Sequence, residues 1–409
     1  MSAARRHVLV TDAGRGSAVA FIRSLGQRGW RVTAADSDPT SAGFRSRHAT
    51  DRLVYPNPAE HPDAVVATIR RAVIDEGVDL VIPITDEIGL PLAASRDAFD
   101  GHAILALPDP AALAATHDKS ATLALAERLG VPIPPTRTVA SIDDAPEAAA
   151  ALGYPLVLKP AASRELLADG TIGSYAVTYA GDDADLRRGL DGLDAATSVL
   201  LQRWLPGEGL GVELLMDRGR ALAAFQHRRL REVPVTGGAS SLRESVALEA
   251  DLLDQATRLL AAIDWTGLAM VEFRRSPDGT AQLMEINGRV WGSLPLAVRA
   301  GMDFPGRWAD LLLEGPPQDD APLSTEYRVG VRARNLRLDM AWIGAVLTGR
   351  RRYPYLPWPS RRAAIGAAAS LLDPRIGDDL LSRSDPGPGL AQFVAIARRA
   401  MPAGRRRRG

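Results

Sequence analysis

The chain has 409 residues, 46% of them hydrophobic and 24% charged, with a formal net charge of zero. At about 100–200 residues per domain this allows several domains, and neutrality leaves no global field to recruit nucleic acid or a membrane. Cysteine is absent and the six histidines are scattered, which excludes disulfides, thiolate metal sites and cysteine nucleophiles and leaves no histidine metal motif. The absence fits a cytoplasmic protein. No apolar run approaches the roughly 20 residues that a membrane-spanning helix needs.

In chain order, His7–Thr11 reads as a short buried strand leading into Asp12-Ala-Gly-Arg-Gly-Ser17 and a helix from about Ala18 to Gln27. Strands follow at Arg31–Ala35, Asp79–Ile84 and Ala103–Ala106. Strands separated by helices predict a parallel, Rossmann-like sheet, and residues 1–112 are assigned to it. Gly14, Gly16 and the later Asp36 resemble part of a dinucleotide fingerprint, but Val19 stands at the third glycine position. A nicotinamide-dependent oxidoreductase is therefore a weak rival reading. A helix from Asp118 to Leu129 and a proline-rich connector, Val131–Thr136, open a second region, 113–317. It reads as α+β: strands at Leu156–Lys159, Tyr175–Tyr179 and Val199–Gln202, helices near Asp182–Leu190 and Leu248–Ala262, and strands Leu268–Phe273 and Ala281–Ile286 around Ser276-Pro-Asp-Gly279. Residues 318–409 form an aromatic-, proline- and arginine-rich extension with a basic tail, Arg405–Arg408. Pro354, Pro357 and Pro359 break any helix through its aromatic stretch. Trp342, Tyr353, Tyr355 and Trp358 are expected to pack on the preceding domains rather than at a lipid interface.

The chemistry begins with Asp278-Gly279. As the centre of a two-residue type I′ hairpin, it would place Glu272 directly opposite Glu285, with Asn287 on the same face. Two carboxylates so close repel unless a cation lies between them. Two carboxylates and an amide oxygen make a hard, all-oxygen site suited to Mg²⁺. Lysine usage gives a second signal. Among 49 basic residues the lysines are Lys119 and Lys159, and all the others are arginine. A compact ammonium on a phosphate is not freely replaced by a planar guanidinium.

Taken together, Ala-Met-Val-Glu272-Phe, Leu-Met-Glu285-Ile-Asn287-Gly-Arg289, Tyr-Pro-Leu-Val-Leu-Lys159-Pro and His-Asp-Lys119-Ser resemble the ATP-grasp superfamily over about residues 7 to 315. Within it, His227-Arg-Arg-Leu-Arg-Glu232, Thr236-Gly-Gly-Ala-Ser240 and Asn287-Gly-Arg-Val-Trp-Gly-Ser293 are similar to the carbamoyl-phosphate-synthase-like carboxylate–amine ligases. The resemblance implies an N-terminal Rossmann-like pre-ATP-grasp domain, an ATP-grasp fold of two α+β subdomains, and the C-terminal extension. It implies that Lys119, Lys159, Gln202, Arg203, Leu205 and Glu213 bind ATP, that Glu272, Glu285 and Asn287 hold Mg²⁺ (Mn²⁺ being the alternative ion), and that Arg289 steadies an acyl phosphate. Residues Ser163–Ser174 resemble a loop that closes over phosphates. Arg228, Arg229, Gly237 and Gly238 are placed beside the substrate. The implied partners are a small carboxylate and an amine, or a thiol in its place, with no nucleic acid. A homodimer is left open. An idle ATP-binding scaffold is the other alternative.

Overall fold

The computed structural model describes residues 6–160, 164–166, 171–174, 177–191, 198–318, 321–349 and 351–400. Five short strands, β1 (His7–Val10), β2 (Arg31–Asp36), β3 (Asp51–Val54), β4 (Leu80–Ile82) and β5 (Ile104–Leu105), form a wholly parallel sheet in the order β3-β2-β1-β4-β5. Every residue of β1 and β4 is buried, as expected of central strands covered by helices on both faces. The helix Gly16–Gln27 buries Ala18, Phe21, Ile22 and Leu25 against the sheet and against the helices Leu294–Ala300 and Phe304–Glu314. The nucleotide fingerprint in this sheet is filled by the chain itself. The Asp36 carboxylate accepts hydrogen bonds from the Gly14 N–H at 2.7 Å and the Ser41 hydroxyl at 2.9 Å. A Cβ on Gly16, at the start of the helix, would meet the Cβ of Asp379 at 2.8 Å. An acid of the protein thus covers the helix N-terminus where a pyrophosphate would sit.

The next strands are β6 (Thr136–Val139), β7 (Leu156–Pro160), β8 (Arg164–Leu166), β9 (Ile172–Ser174), β10 (Thr178–Ala180) and β11 (Val199–Arg203). Four of them make an antiparallel sheet, β10-β7-β11-β6, and β8 and β9 pair as a separate ribbon. The strand expected from Tyr175 begins at Thr178, and residues 175–176 lie outside the described residues. Of the segment expected to close over phosphates, residues 163 and 167–170, including Gly170, also lie outside them.

The largest sheet joins β12 (Glu208–Asp217), β13 (Arg220–Val233), β14 (Ala239–Ser245), β15 (Gly267–Arg275), β16 (Ala281–Asn287), β17 (Arg332–Arg334) and β18 (Ile376–Asp378) in the order β16-β15-β12-β13-β14-β17-β18. The sequence reading does not find β12, β13 and β14. Nine of the ten residues of β12 are buried, so it lacks polar alternation, and β13 carries arginines on both faces. Residues beyond 317 are continuous with this sheet, supplying its last two strands. One face packs on the helix Ala250–Ala261 through Val212, Leu214, Ala269 and Val271. The other meets the N-terminal domain through Leu215, Phe225, Leu268 and Trp291.

Much of the aromatic C-terminal stretch packs inward, as expected, while Tyr355 stays exposed. Leu356 is buried beside Val157 and Tyr179, and Tyr353 meets Tyr179 edge-on with ring centroids 4.9 Å apart. Trp342 is buried with Val346, Ala364 and Ala367.

Candidate active site

The β15–β16 hairpin places Glu272 opposite Glu285 and Met270 opposite Asn287. The turn differs from the expected one. Gly279 alone takes a positive φ, 93°; its N–H bonds the Ser276 carbonyl, and the Ser276 N–H bonds the Thr280 carbonyl. This is a three-residue loop, which by itself would shift the register by one. A β-bulge between Glu272 and Phe273 restores it. Asn287 Nδ2 donates to Glu272 Oε1 at 3.0 Å and lies 3.4 Å from Glu285 Oε1. All three side chains therefore converge.

The cation needed beside the pair comes partly from an arginine two strands away. Arg229 on β13 crosses β12 to form an ion pair with Glu272 and also faces Glu232 at 3.4 Å. Two glycines of β12 make room, one for Arg229 and one for His227. A Cβ on Gly209 would meet Arg229 Cδ at 2.9 Å, and one on Gly211 would meet His227 Cε1 at 2.4 Å. Burial, with Glu285 across the strand pair, pushes the Glu272 carboxyl up against the pull of Arg229. Burial would also raise the Glu285 carboxyl, but Lys119, Lys159, Arg229 and Arg289 more than offset it and hold Glu285 below the usual range.

Lys159, on β7, is buried and donates to Gln202 Oε1 at 2.8 Å, while Gln202 Nε2 donates to Thr136 Oγ1 at 2.9 Å. Desolvation lowers the Lys159 ammonium to about 8. Lys119 is the first residue of the helix Lys119–Arg128, whose N-cap Asp118 accepts from the Ser120 N–H at 2.8 Å. A cation at a helix N-terminus opposes the helix dipole, so this lysine is placed against local preference. Lys119, Glu285, Asn287 and Arg289 line an open cleft with Asp86 of the N-terminal domain. Arg289 Nε donates to Asp86 Oδ2 at 2.8 Å. Sequence reasoning missed Asp86, since nothing local links it to a residue more than two hundred positions away.

Other expected residues sit differently. Arg203 turns its guanidinium to the Leu152 carbonyl, at 2.6 Å from Nη2, and its N–H is taken by the Pro135 carbonyl at 2.9 Å. Leu205 is partly exposed just beyond β11. Glu213 is fully buried and hydrogen-bonded to His227 Nδ1. Burial pushes the Glu213 carboxyl well up and the His227 imidazole down to about 3, so both favour their neutral forms beneath Arg229. Arg228 faces the opposite side of β13 from Arg229 and pairs with Glu244 and Glu208. Gly237 and Gly238 do adjoin Arg229: the Gly238 carbonyl accepts from Arg229 Nη1 at 3.1 Å, and the Tyr179 hydroxyl lies 3.4 Å from the Gly237 carbonyl.

A parallel N-terminal sheet, a small antiparallel sheet bearing one lysine, and a large sheet bearing paired acids together form the ATP-grasp fold. Residues 195–334 match the family described as ATP-grasp in the biosynthetic pathway with Ter operon. The chain is 29% identical over 220 residues to the carbamoyl phosphate synthase large chain of Deinococcus radiodurans, an alignment covering 51% of this chain and 21% of that one. It spans about a fifth of the length of the first curated relatives it matches. Biotin carboxylase from Campylobacter jejuni superposes with a TM-score of 0.60 at 17% identity, over 80% of this chain and 74% of that one. N5-carboxyaminoimidazole synthetase from Staphylococcus aureus gives 0.62 at 14% identity, over 85% and 86%.

Proposed function

We propose that the protein is an ATP-dependent ligase that activates a small carboxylate as an acyl phosphate and joins it to an amine. The observation that carries this reading is the convergence of Glu272, Glu285 and Asn287 with the charges of Lys119, Lys159, Arg229 and Arg289. The donor set fits a hard divalent cation. Asn287 donates its N–H to the carboxylates, and the same amide turned over offers a third oxygen. Glu272, Glu285 and Asn287 would hold Mg²⁺, whose charge would offset the negative charge that builds during phosphoryl transfer.

Lys159, fixed by Gln202, and Lys119 bind the nucleotide phosphates. The substrate carboxylate displaces ADP from the γ-phosphorus, forming one P–O bond as another breaks. Arg289, oriented by Asp86, holds the resulting acyl phosphate with its planar fork. The amine then attacks the acyl carbon and phosphate leaves. Arg229 pairs with Glu272 and positions it, and no covalent protein intermediate is needed. The relatives named carbamoyl phosphate synthase and N5-carboxyaminoimidazole synthetase support C–N bond formation as the reaction class.

The test is ADP release across a matrix of amino acids, peptides and other carboxylates, each with and without amine acceptors. ADP release stimulated by one carboxylate–amine pair supports the reading. ATP binding without turnover for any pair favours a scaffold.

A further inference from the structure

The C-terminal part of the chain concentrates two features. Among the described residues fourteen large apolar side chains are exposed, and nine of these lie between Met340 and Val394. Residues 340–372 also contain five arginines and no acid, in a chain whose net charge is zero. Four of the nine, Met340, Leu347, Ile365 and Leu372, lie on the helices Leu336–Thr348 and Arg361–Ser370 or in the turn after the second. These helices pack together and against the large sheet, burying Trp342, Ile343, Val346, Ala364 and Ala367. Their outer sides are left apolar at helical spacing. On the first helix these residues are Met340, Gly344 and Leu347; from the second helix into the turn after it they are Ile365, Ala369 and Leu372. Leu372 is 88% exposed and Ile365 63%. A Cβ on Gly344 or Gly366 would meet nothing within 4 Å, so the face is open. Exposed Arg337, Arg361 and Arg362 lie on the same two helices, and exposed Arg351 and Arg352, in the segment joining them, stack over Trp358 and Tyr353. The acids bordering this stretch are engaged: Asp339 pairs with Arg231 and Arg334, and Asp373 with Arg375.

We propose that this outer face is a docking surface for an anionic lipid bilayer. Exposed apolar side chains suit the acyl boundary, and exposed arginines without acids suit anionic headgroups. A second copy of the chain would bring a like-charged surface against it. A nucleic acid would meet phosphates with the arginines only and leave the apolar side chains uncovered. No described helix is long and apolar enough to cross a membrane, so the pair lies flat on the surface. The aromatic stretch between the helices takes no direct part, because Tyr353 and Leu356 pack inward.

The experiment is flotation of the full-length protein with vesicles of phosphatidylcholine alone or with about one-third phosphatidylglycerol. The proposal predicts binding to the anionic vesicles that weakens by about tenfold or more when salt rises from about 0.1 to 0.5 M. Ile365→Asp combined with Leu372→Asp should abolish it; both positions are exposed, and an unchanged thermal melt verifies the fold. Replacing Arg405–Arg408 by alanine should leave most of the binding. Equal binding to neutral vesicles, none to either, or complete loss through the tail variant alone would overturn the proposal. So would an oligomer in light scattering that the double variant dissolves, which would assign the face to a second copy.

Discussion

Lys159 is buried, and its ammonium is lowered to about 8 from an ordinary 10.5 because burial disfavours charge. Below about pH 8 it is charged and can hold a phosphate. As pH rises through about 8 it loses its proton, so ATP affinity should fall. Stability moves the other way: between about 8 and 10.5 the unfolded chain binds a proton that the folded chain has released, and stability rises with pH. Titration calorimetry with ATP should show affinity weaker by about tenfold at pH 9 than at pH 7. Lys159→Arg should bind more weakly at pH 7 and show a flat profile, since arginine stays protonated and its fork does not reproduce a point charge. A flat wild-type profile would remove Lys159 from the nucleotide site. Both lysines were legible because the sequence otherwise uses arginine. The Arg229–Glu272 pair was not, because it depends on the unrecognised β12 lying between its partners. Alternation along β13 means that Arg228 and Arg229 could not both face the site, a signal available once β13 is known to be a strand.

At the scale of elements, the facing glutamates show how a correct pairing can come from an incomplete argument. The sequence reading assigns Asp278-Gly279 a two-residue turn; the structure has three loop residues and a compensating bulge. A two-residue turn with positive φ at both central positions does occur, at Arg218-Gly219 between β12 and β13, with φ of 43° and 75°. Arginine at such a position gives no turn signal in sequence, so this hairpin was missed. The glycines of β12 were equally silent. They serve as the gap through which His227 and Arg229 reach across the sheet. Gly211→Ala should lower stability by about 1–3 kcal/mol in urea unfolding, since its Cβ meets the His227 ring in a packed interior. If unfolding is unchanged, the crossing is looser than described.

Across the whole molecule, the last residues tie the first domain to the large sheet. Asp385 is buried and accepts from Arg23 Nε at 2.9 Å, the Ser46 hydroxyl at 2.7 Å and the Arg47 N–H at 2.9 Å. Asp379 pairs with the buried Arg243 of β14 while packing on Gly16. These contacts join residues from 136 to more than three hundred positions apart, so local pattern could not reveal them; the short buried strands and spaced helices of the N-terminal sheet, which depend on local pattern, were legible. Asp385→Ala should cost about 3 kcal/mol in urea unfolding, because it leaves the largely buried Arg23 guanidinium with backbone carbonyls of residues 380 and 385 but no carboxylate. A change below about 0.5 kcal/mol would mean that the C-terminal segment unfolds separately.

The central claim is that Glu272, Glu285 and Asn287 serve phosphoryl transfer to a carboxylate. Hydroxylamine traps an acyl phosphate as a hydroxamate, so the direct measurement is ADP and hydroxamate formed together with the activating carboxylate, in wild type and in Glu285→Ala. The account predicts equimolar ADP and hydroxamate in wild type, and a loss of about 100-fold or more in the variant with its thermal melt retained. ADP release without hydroxamate, or wild-type turnover in Glu285→Ala, would contradict it.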